Sequence, residues 1–181
     1  MRGAPIALLV LALSLPAAGC DRLRPGEKPP SRLIVAWTGS DTGAMAAKAV
    51  AEWCDSLRVL EIRGVRGDSG LAMAIYPLDR VQADSYPVML PDRADSTRPS
   101  AAVGARWFAE TSVKGFQGDR GAVIVEQASG RVSGRFRARM RSVTDGSRLE
   151  LEGTFQRIAV VPATRGCVSR PPAQPPDTGI D

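Results

Sequence analysis

Residues 131–141 alternate without a break: Val132, Gly134, Phe136, Ala138 and Met140 on one face, Arg131, Ser133, Arg135, Arg137, Arg139 and Arg141 on the other. A period of two sends successive side chains to opposite sides of a strand, so this segment needs a core on one face and water on the other. Residues 149–155 repeat the pattern, with Leu149, Leu151, Gly153 and Phe155 against Glu150, Glu152 and Thr154. Between them stands Thr144-Asp145-Gly146-Ser147, and Asp-Gly is a strong two-residue hairpin signal. With Asp145-Gly146 as the turn, Arg141 faces Glu150, Arg139 faces Glu152, Met140 faces Leu151 and Phe136 faces Phe155. Such cross-strand pairs each contribute a few tenths to about 1 kcal/mol. On the same register Arg137 faces Thr154 and Arg135 faces Gln156. Arg131, Arg135 and Arg137 are then a positive strip without acidic partners, a candidate contact for anionic lipid headgroups or a polyanion. The alternative is a solvated strand in a chain that uses 21 arginines and 3 lysines throughout.

Further strands are expected over 33–38, 58–65, 71–76, 86–90, 101–108, 121–127 and 157–161. Turn chemistry separates them at Arg66-Gly67-Asp68-Ser69-Gly70, at Lys114-Gly115-Phe116-Gln117-Gly118-Asp119 and at Ala128-Ser129-Gly130. Residues 44–57 read two ways. Ala46, Ala49, Val50, Trp53 and Leu57 fall on one helical stripe, whereas the β-rich surroundings favour a strand. Many short strands with Gly/Asp turns point to an all-β chain with a single antiparallel β-sandwich or barrel-like domain. That domain covers 32–167, long enough to bury a real core. Residues 20–31 read as a Pro-rich tether, and 168–181 (VSRPPAQPPDTGID) as a disordered tail.

The N-terminus opens with Met1-Arg2 and continues from Ala4 to Ala18 without a charge. A membrane-spanning helix needs about 20 apolar residues, so this shorter run reads as a signal peptide over 1–19. Its end, Ala17-Ala18-Gly19-Cys20, resembles the lipobox of bacterial lipoproteins, with Ala17 where leucine is commonest. The resemblance implies cleavage before Cys20 and acylation of its thiol and amine; two or more acyl chains hold a protein stably on a membrane. An ordinary secreted protein cut after Ala18 or Gly19 is the alternative. Ser133-Gly134-Arg135-Phe136 and Glu152-Gly153-Thr154-Phe155, with the late Cys167, resemble uncharacterised all-β domains of bacterial lipoproteins, a resemblance that brings no activity. With Cys20 acylated, Cys54 and Cys167 remain, and in an exported chain two leftover cysteines are most simply a disulfide. Closing so long a loop is worth about 4 to 5 kcal/mol in chain-entropy terms. The expected location is the cell envelope, membrane-anchored and facing the periplasm or the exterior, with Asp21 leaving inner and outer membrane both open.

Composition narrows the chemistry. The chain is 44% apolar and 24% charged with a net charge of +5, and it has no histidine. Without imidazole there is no Ser-His-Asp or Cys-His nucleophile and no His-ligated zinc. Gly67-Asp68-Ser69-Gly70 looks like a trypsin-type nucleophile loop, but no base is available: Lys28, Lys48 and Lys114 are the only lysines, and no Ser-x-x-Lys occurs. It reads as a turn. No calcium-loop pattern is present, and Asp92 with Asp95 is an acidic pair in a Pro-rich loop, so no metal or other cofactor is implied. Glu61, Asp68, Glu110, Glu126, Glu150 and Glu152 are available for a carboxylate pair. Trp37, Trp53 and Trp107 read as core. Losing Arg2 with the signal leaves a modest +4, and apart from inward-facing Phe136 no aromatic interleaves the basic strand, which in a chain expected outside the cytoplasm argues against nucleic acid. The expectation is a lipid-anchored envelope protein with a non-enzymatic binding or structural β-domain, partnered by the membrane through Cys20 and by an anionic envelope component or a protein. Its alternatives are a small-ligand carrier with a barrel cavity and a carboxylate-based hydrolase of envelope glycans. An apolar cavity marks the first, and two carboxylates about 5 to 10 Å apart in a cleft mark the second.

Overall fold

The computed structural model describes residues 31–109 and 112–163. Cys20, Cys167, Glu110, the expected signal peptide over 1–19, residues 20–30 of the tether and the 168–181 tail lie outside the described residues. Nine strands follow in order: β1 (Arg32–Gly39), β2 (Gly43–Cys54), β3 (Val59–Arg66), β4 (Ser69–Tyr76), β5 (Asp84–Pro87), β6 (Ser100–Ala109), β7 (Ser112–Ala128), β8 (Arg131–Ser142) and β9 (Arg148–Pro162). Neighbours run β7-β6-β4-β3-β2-β1-β9-β8, and β8 returns to β7. Eight strands therefore close on themselves, and closure removes the exposed edges an open sheet would leave. The domain is a barrel, not a sandwich. β5 is a short supplement that pairs with 122–125 of β7, where β6 does not reach. At the same end β9 outlasts β1 and runs parallel to β2 over 160–162.

The alternating residues fill the interior. Leu33, Leu60, Ile62, Met73, Ile75, Phe136, Met140, Leu151, Phe155 and Ile158 are almost wholly buried, with Ala47, Ala49, Ala51, Ala101 and Ala138 between them. The ambiguous 44–57 segment is strand as far as Cys54, because its alanines face Leu33 and Ile62 inside the barrel; packing outweighs helix propensity here. Outward positions carry Glu52, Glu61, Arg63, Arg135, Arg137, Glu150 and Glu152. An apolar inside with a charged outside is the reverse of a membrane-spanning barrel, whose lipid-facing band is apolar.

Both faces of the β8–β9 hairpin are as the alternation requires, but the register is shifted by two residues. Arg141 faces Arg148, Arg139 faces Glu150, Arg137 faces Glu152 and Phe136 faces Gly153. The cause lies in the turn, which is a four-residue loop and not a two-residue Asp-Gly turn. Ser142 N–H donates to Ser147 O at 2.8 Å, and Ser142 Oγ accepts from the N–H groups of Thr144 and Asp145. A slip of two preserves the side-chain faces and changes every partner. It also makes sense of the two Gly-x-Phe sequences. Gly134 pairs with Phe155 and Phe136 with Gly153, and a Cβ on either glycine would come within 2.6 Å of the opposing ring's Cζ. Each phenylalanine lies over the glycine opposite it, an arrangement that pins a bent strand pair.

Two further expectations are corrected. Residues 114–119 do not break the chain; β7 runs straight through them, and Gly118 faces inward against Val88 and Val103, where a side chain would not fit. Residues 157–161 are no separate strand but the continuation of β9 beyond Arg157, which adopts φ 53° at a register shift opposite β8.

Candidate functional sites on the barrel surface and at its ends

The register decides what becomes of the arginine row. Arg131 Nη1 donates to Arg157 O at 2.9 Å, and Ser31 Oγ donates to the same carbonyl at 3.2 Å. Arg131 therefore sits where the chain enters β1. Arg135 forms an ion pair with Glu126 on β7. Arg137 lies directly between Ala122 and Glu152 and has no ion pair within 4 Å among the described residues. The expected facing of Arg137 on Thr154 and Arg135 on Gln156 is thus corrected: the strip is not free of acids. Arg139 pairs with Asp119 at 2.9 Å, whereas Arg141, expected to meet Glu150, stands beside Arg148.

Around Arg135 and Arg137 the outer surface forms a shallow groove. Two rows in register cross it: Ile124, Arg135, Thr154 and Ile34, then Ala122, Arg137, Glu152 and Ala36. The centre is polar and the two flanks are apolar. Its charges largely compensate each other, because Glu126 and Glu152 stand beside the two arginines.

Antiparallel connectivity gives the barrel two distinct ends. One bears the β1–β2, β3–β4, β6–β7 and β8–β9 connections. There, Trp37, Trp107 and Phe116 stack in a column with ring centroids 4.7 and 4.8 Å apart. A Cβ at Gly43 would collide with the Trp37 indole, so glycine at that position makes room for the column. Asp41 closes it: Oδ2 accepts from Trp107 Nε1 at 2.9 Å and from Lys114 Nζ at 3.4 Å, and Oδ1 accepts from Thr42 N–H at 2.7 Å. The Trp107 hydrogen bond is the main reason the Asp41 carboxyl is held below its ordinary range, with Thr42 and Lys114 adding to it. The space between Trp37, Met45, Leu71 and Trp107 is about 10 Å³, barely room for one water.

The other end carries Ser31, Ala163 and the 77–99 excursion. Tyr86 is buried there, its hydroxyl donating to Gln82 O at 3.2 Å, and burial pushes its phenol upward. Asp95 is occupied by Thr97, whose hydroxyl and N–H both donate to Oδ1 and hold the carboxyl low. Asp92 is exposed in the 91–93 turn that precedes it. Among the described residues no three His, Cys, Asp or Glu side chains gather as a metal site. Cys54 is buried at the end of β2 with Sγ 3.5 Å from Ser56 Oγ. Trp53, beside it, donates from Nε1 to Asp55.

Glu52 stands opposite Glu61 across β2 and β3. Arg63 engages both, and they stand on the outer face. Glu150 and Glu152 face Arg139 and Arg137 in the same way. Gly67-Asp68 is the two-residue turn joining β3 to β4, with Arg66 paired to Ser69 and Gly67 at φ 55°. Only the fold-level reading of these residues was open to inspection of the sequence. The aromatic column and its aspartate join positions 37, 41, 107, 114 and 116, which no local pattern connects. Compared with protein-family models, curated proteins and solved structures, the chain matches none.

Proposed function

We propose that this chain is a lipid-anchored protein of the bacterial cell envelope, held by an acylated Cys20, whose barrel is a non-enzymatic binding or structural domain acting through its outer surface. The observation that carries the outer-surface part is the filled interior. Phe136, Phe155, Met140, Leu60 and Ile62 occupy the space a carrier would leave for its ligand. For the hydrolase alternative, the cross-strand carboxylates Glu52 and Glu61 are both engaged by Arg63 on an outer face.

Anchoring would set the orientation. Ser31, Arg131 and Arg157 meet at one carbonyl where the tether joins the barrel, and Arg32 follows immediately. That basic junction suits the headgroups of an anionic leaflet. Arg135 and Arg137 extend the same strand away from it, the first compensated by Glu126. We also propose the Cys54–Cys167 disulfide. Ala163 N–H donates to Trp53 O at 2.9 Å, so the chain passes beside Cys54 four residues before Cys167.

Mass spectrometry of the mature protein extracted from membranes tests the anchor: an acylated Cys20 as first residue is expected, and an unmodified Cys20 thiol would overturn it. Peptide mapping without reductant should recover Cys54 joined to Cys167, and free thiols at both would remove the bridge.

A further inference from the structure

The outer face on β3, β4, β6 and β7 carries a second groove. One row in register runs Val65, Gly70, Arg106 and Gly115, and Val143 N–H bonds to Gly115 O at its far side. Val65 and Val143 are 64% and 61% exposed, and Phe108 with Val113, paired beyond Arg106, are 56% and 52% exposed. Val65 and Val143 line one groove of about 380 Å³, the size of a small-ligand site, and Phe108 and Val113 stand exposed outside its lining. Its floor is made by Gly70, Ala72, Gly104 and Gly115.

No steric demand of the fold explains the bare floor at Gly104. A Cβ there would meet nothing closer than 3.9 Å, in contrast to Gly134 and Gly153 on the other side of the barrel. A strand glycine without a steric reason weakens the strand and marks a place of close approach. The charge is equally one-sided. Arg63 and Arg106 line the groove without a carboxylate, Arg63 is engaged by Glu52 and Glu61, and Arg106 has no ion pair among the described residues.

We propose that this groove binds an anionic amphiphile, its apolar chain lying on the glycine–alanine floor between Val65 and Val143 and its anionic head on Arg106. An acyl chain suits the floor better than a peptide does. The backbone amides and carbonyls of β3, β4, β6 and β7 are committed to the ladders on either side, so a peptide laid there would bury its own polar groups without partners. The proposal rests on the reading of the barrel as a binding domain working through its outer face, and it is independent of whether Cys20 is acylated.

Titration of the full mature chain, prepared unlipidated, with decyl phosphate below its micellar concentration, followed by amide NMR, tests it. Shifts are expected at Gly70, Gly104, Gly115 and Arg106, with saturation. Arg106→Gln should weaken binding about tenfold, and Gly104→Leu, which fills the floor, should abolish it while the amide spectrum stays dispersed. Neutral decyl maltoside and inorganic phosphate should each bind at least tenfold more weakly than decyl phosphate. No saturable shifts, shifts confined to the Arg135–Arg137 groove, or equal binding to either variant would overturn the site. Equal binding of maltoside would overturn the role of the anion, and equal binding of phosphate that of the chain. Persistence of acylated Cys20 in membrane extracts alongside a negative titration would locate the failure in this groove and not in the anchor.

Discussion

The two ends of this barrel are built from the same alternating strands and finish in opposite ways. Where the chain enters and leaves, ends are tied by polar contacts: Ser31 and Arg131 on one carbonyl, Tyr86 exchanging hydrogen bonds with Gln82, and Asp95 held by Thr97. At the far end closure is aromatic, with Trp37, Trp107 and Phe116 stacked under Asp41, while exposed apolar side chains occur toward both ends: Val65, Phe108, Val113 and Val143 here, and Ile34, Val50, Leu78 and Val161 toward the other. Interior packing accounts for the fold at both ends; they diverge in how they are closed, by an aromatic stack at one and by polar ties at the other.

Substitutions can press on this contrast from its strongest point to its weakest. Trp107→Ala should be the most damaging, because it opens a void in the middle of the column and leaves Asp41 without its main donor. A loss of about 3 to 5 kcal/mol is expected by urea denaturation; a loss below 1 kcal/mol would mean that the far end is not closed by the stack. Asp41→Ala should cost about 1 kcal/mol at pH 7. Its effect must also depend on pH. The folded carboxyl is held below its ordinary range, so its contribution is complete above about pH 4 and vanishes as pH falls through the lowered folded value. Wild type and variant should accordingly converge in stability as pH falls below about 4, and a gap that stays constant through that range would show that the aspartate acts by shape alone.

Tyr86→Phe, at the terminus-bearing end, should cost about 1 kcal/mol or slightly less, since the Gln82 backbone groups lose a partner near the surface. Smallest of all, Val143→Thr and Arg131→Gln should leave stability within about 0.5 kcal/mol. Equal changes at these exposed positions and at Trp107 would erase the distinction between closure and surface.

Much of this was legible in the sequence, and for one reason: period two fixes which side chains go inside. The same periodicity is blind to register, because a slip of two residues restores both faces. Asp145-Gly146 suggests the shortest turn, yet the hydroxyl of Ser142 holds a longer loop, and the Asp145 carboxyl, engaged by Ser142 and Ser147, falls to about 2. Every arginine partner changes with that one loop. Gly115 and Gly118 read locally as turn residues but belong to a continuous strand, one beneath Val143 and the other against Val88 and Val103. The groove around Arg106 was hidden for a different reason. Val65, Gly70, Arg106, Gly115 and Val143 come from five elements, and only the register of three strand pairs and one loop contact brings them into a row. The Gly-x-Phe pair was visible as a motif, and its meaning waited for the shifted pairing.

The contrast between the ends is tested most directly by placing the mature, membrane-extracted protein on anionic nanodiscs that carry a paramagnetic lipid and reading amide relaxation along the barrel. The account predicts strong broadening at Arg32, Arg131 and Arg157, with Val65, Arg106, Val113 and Val143 unaffected. Broadening at the second set and not at the first would contradict it, since the aromatic-closed end would then be the one that meets the membrane.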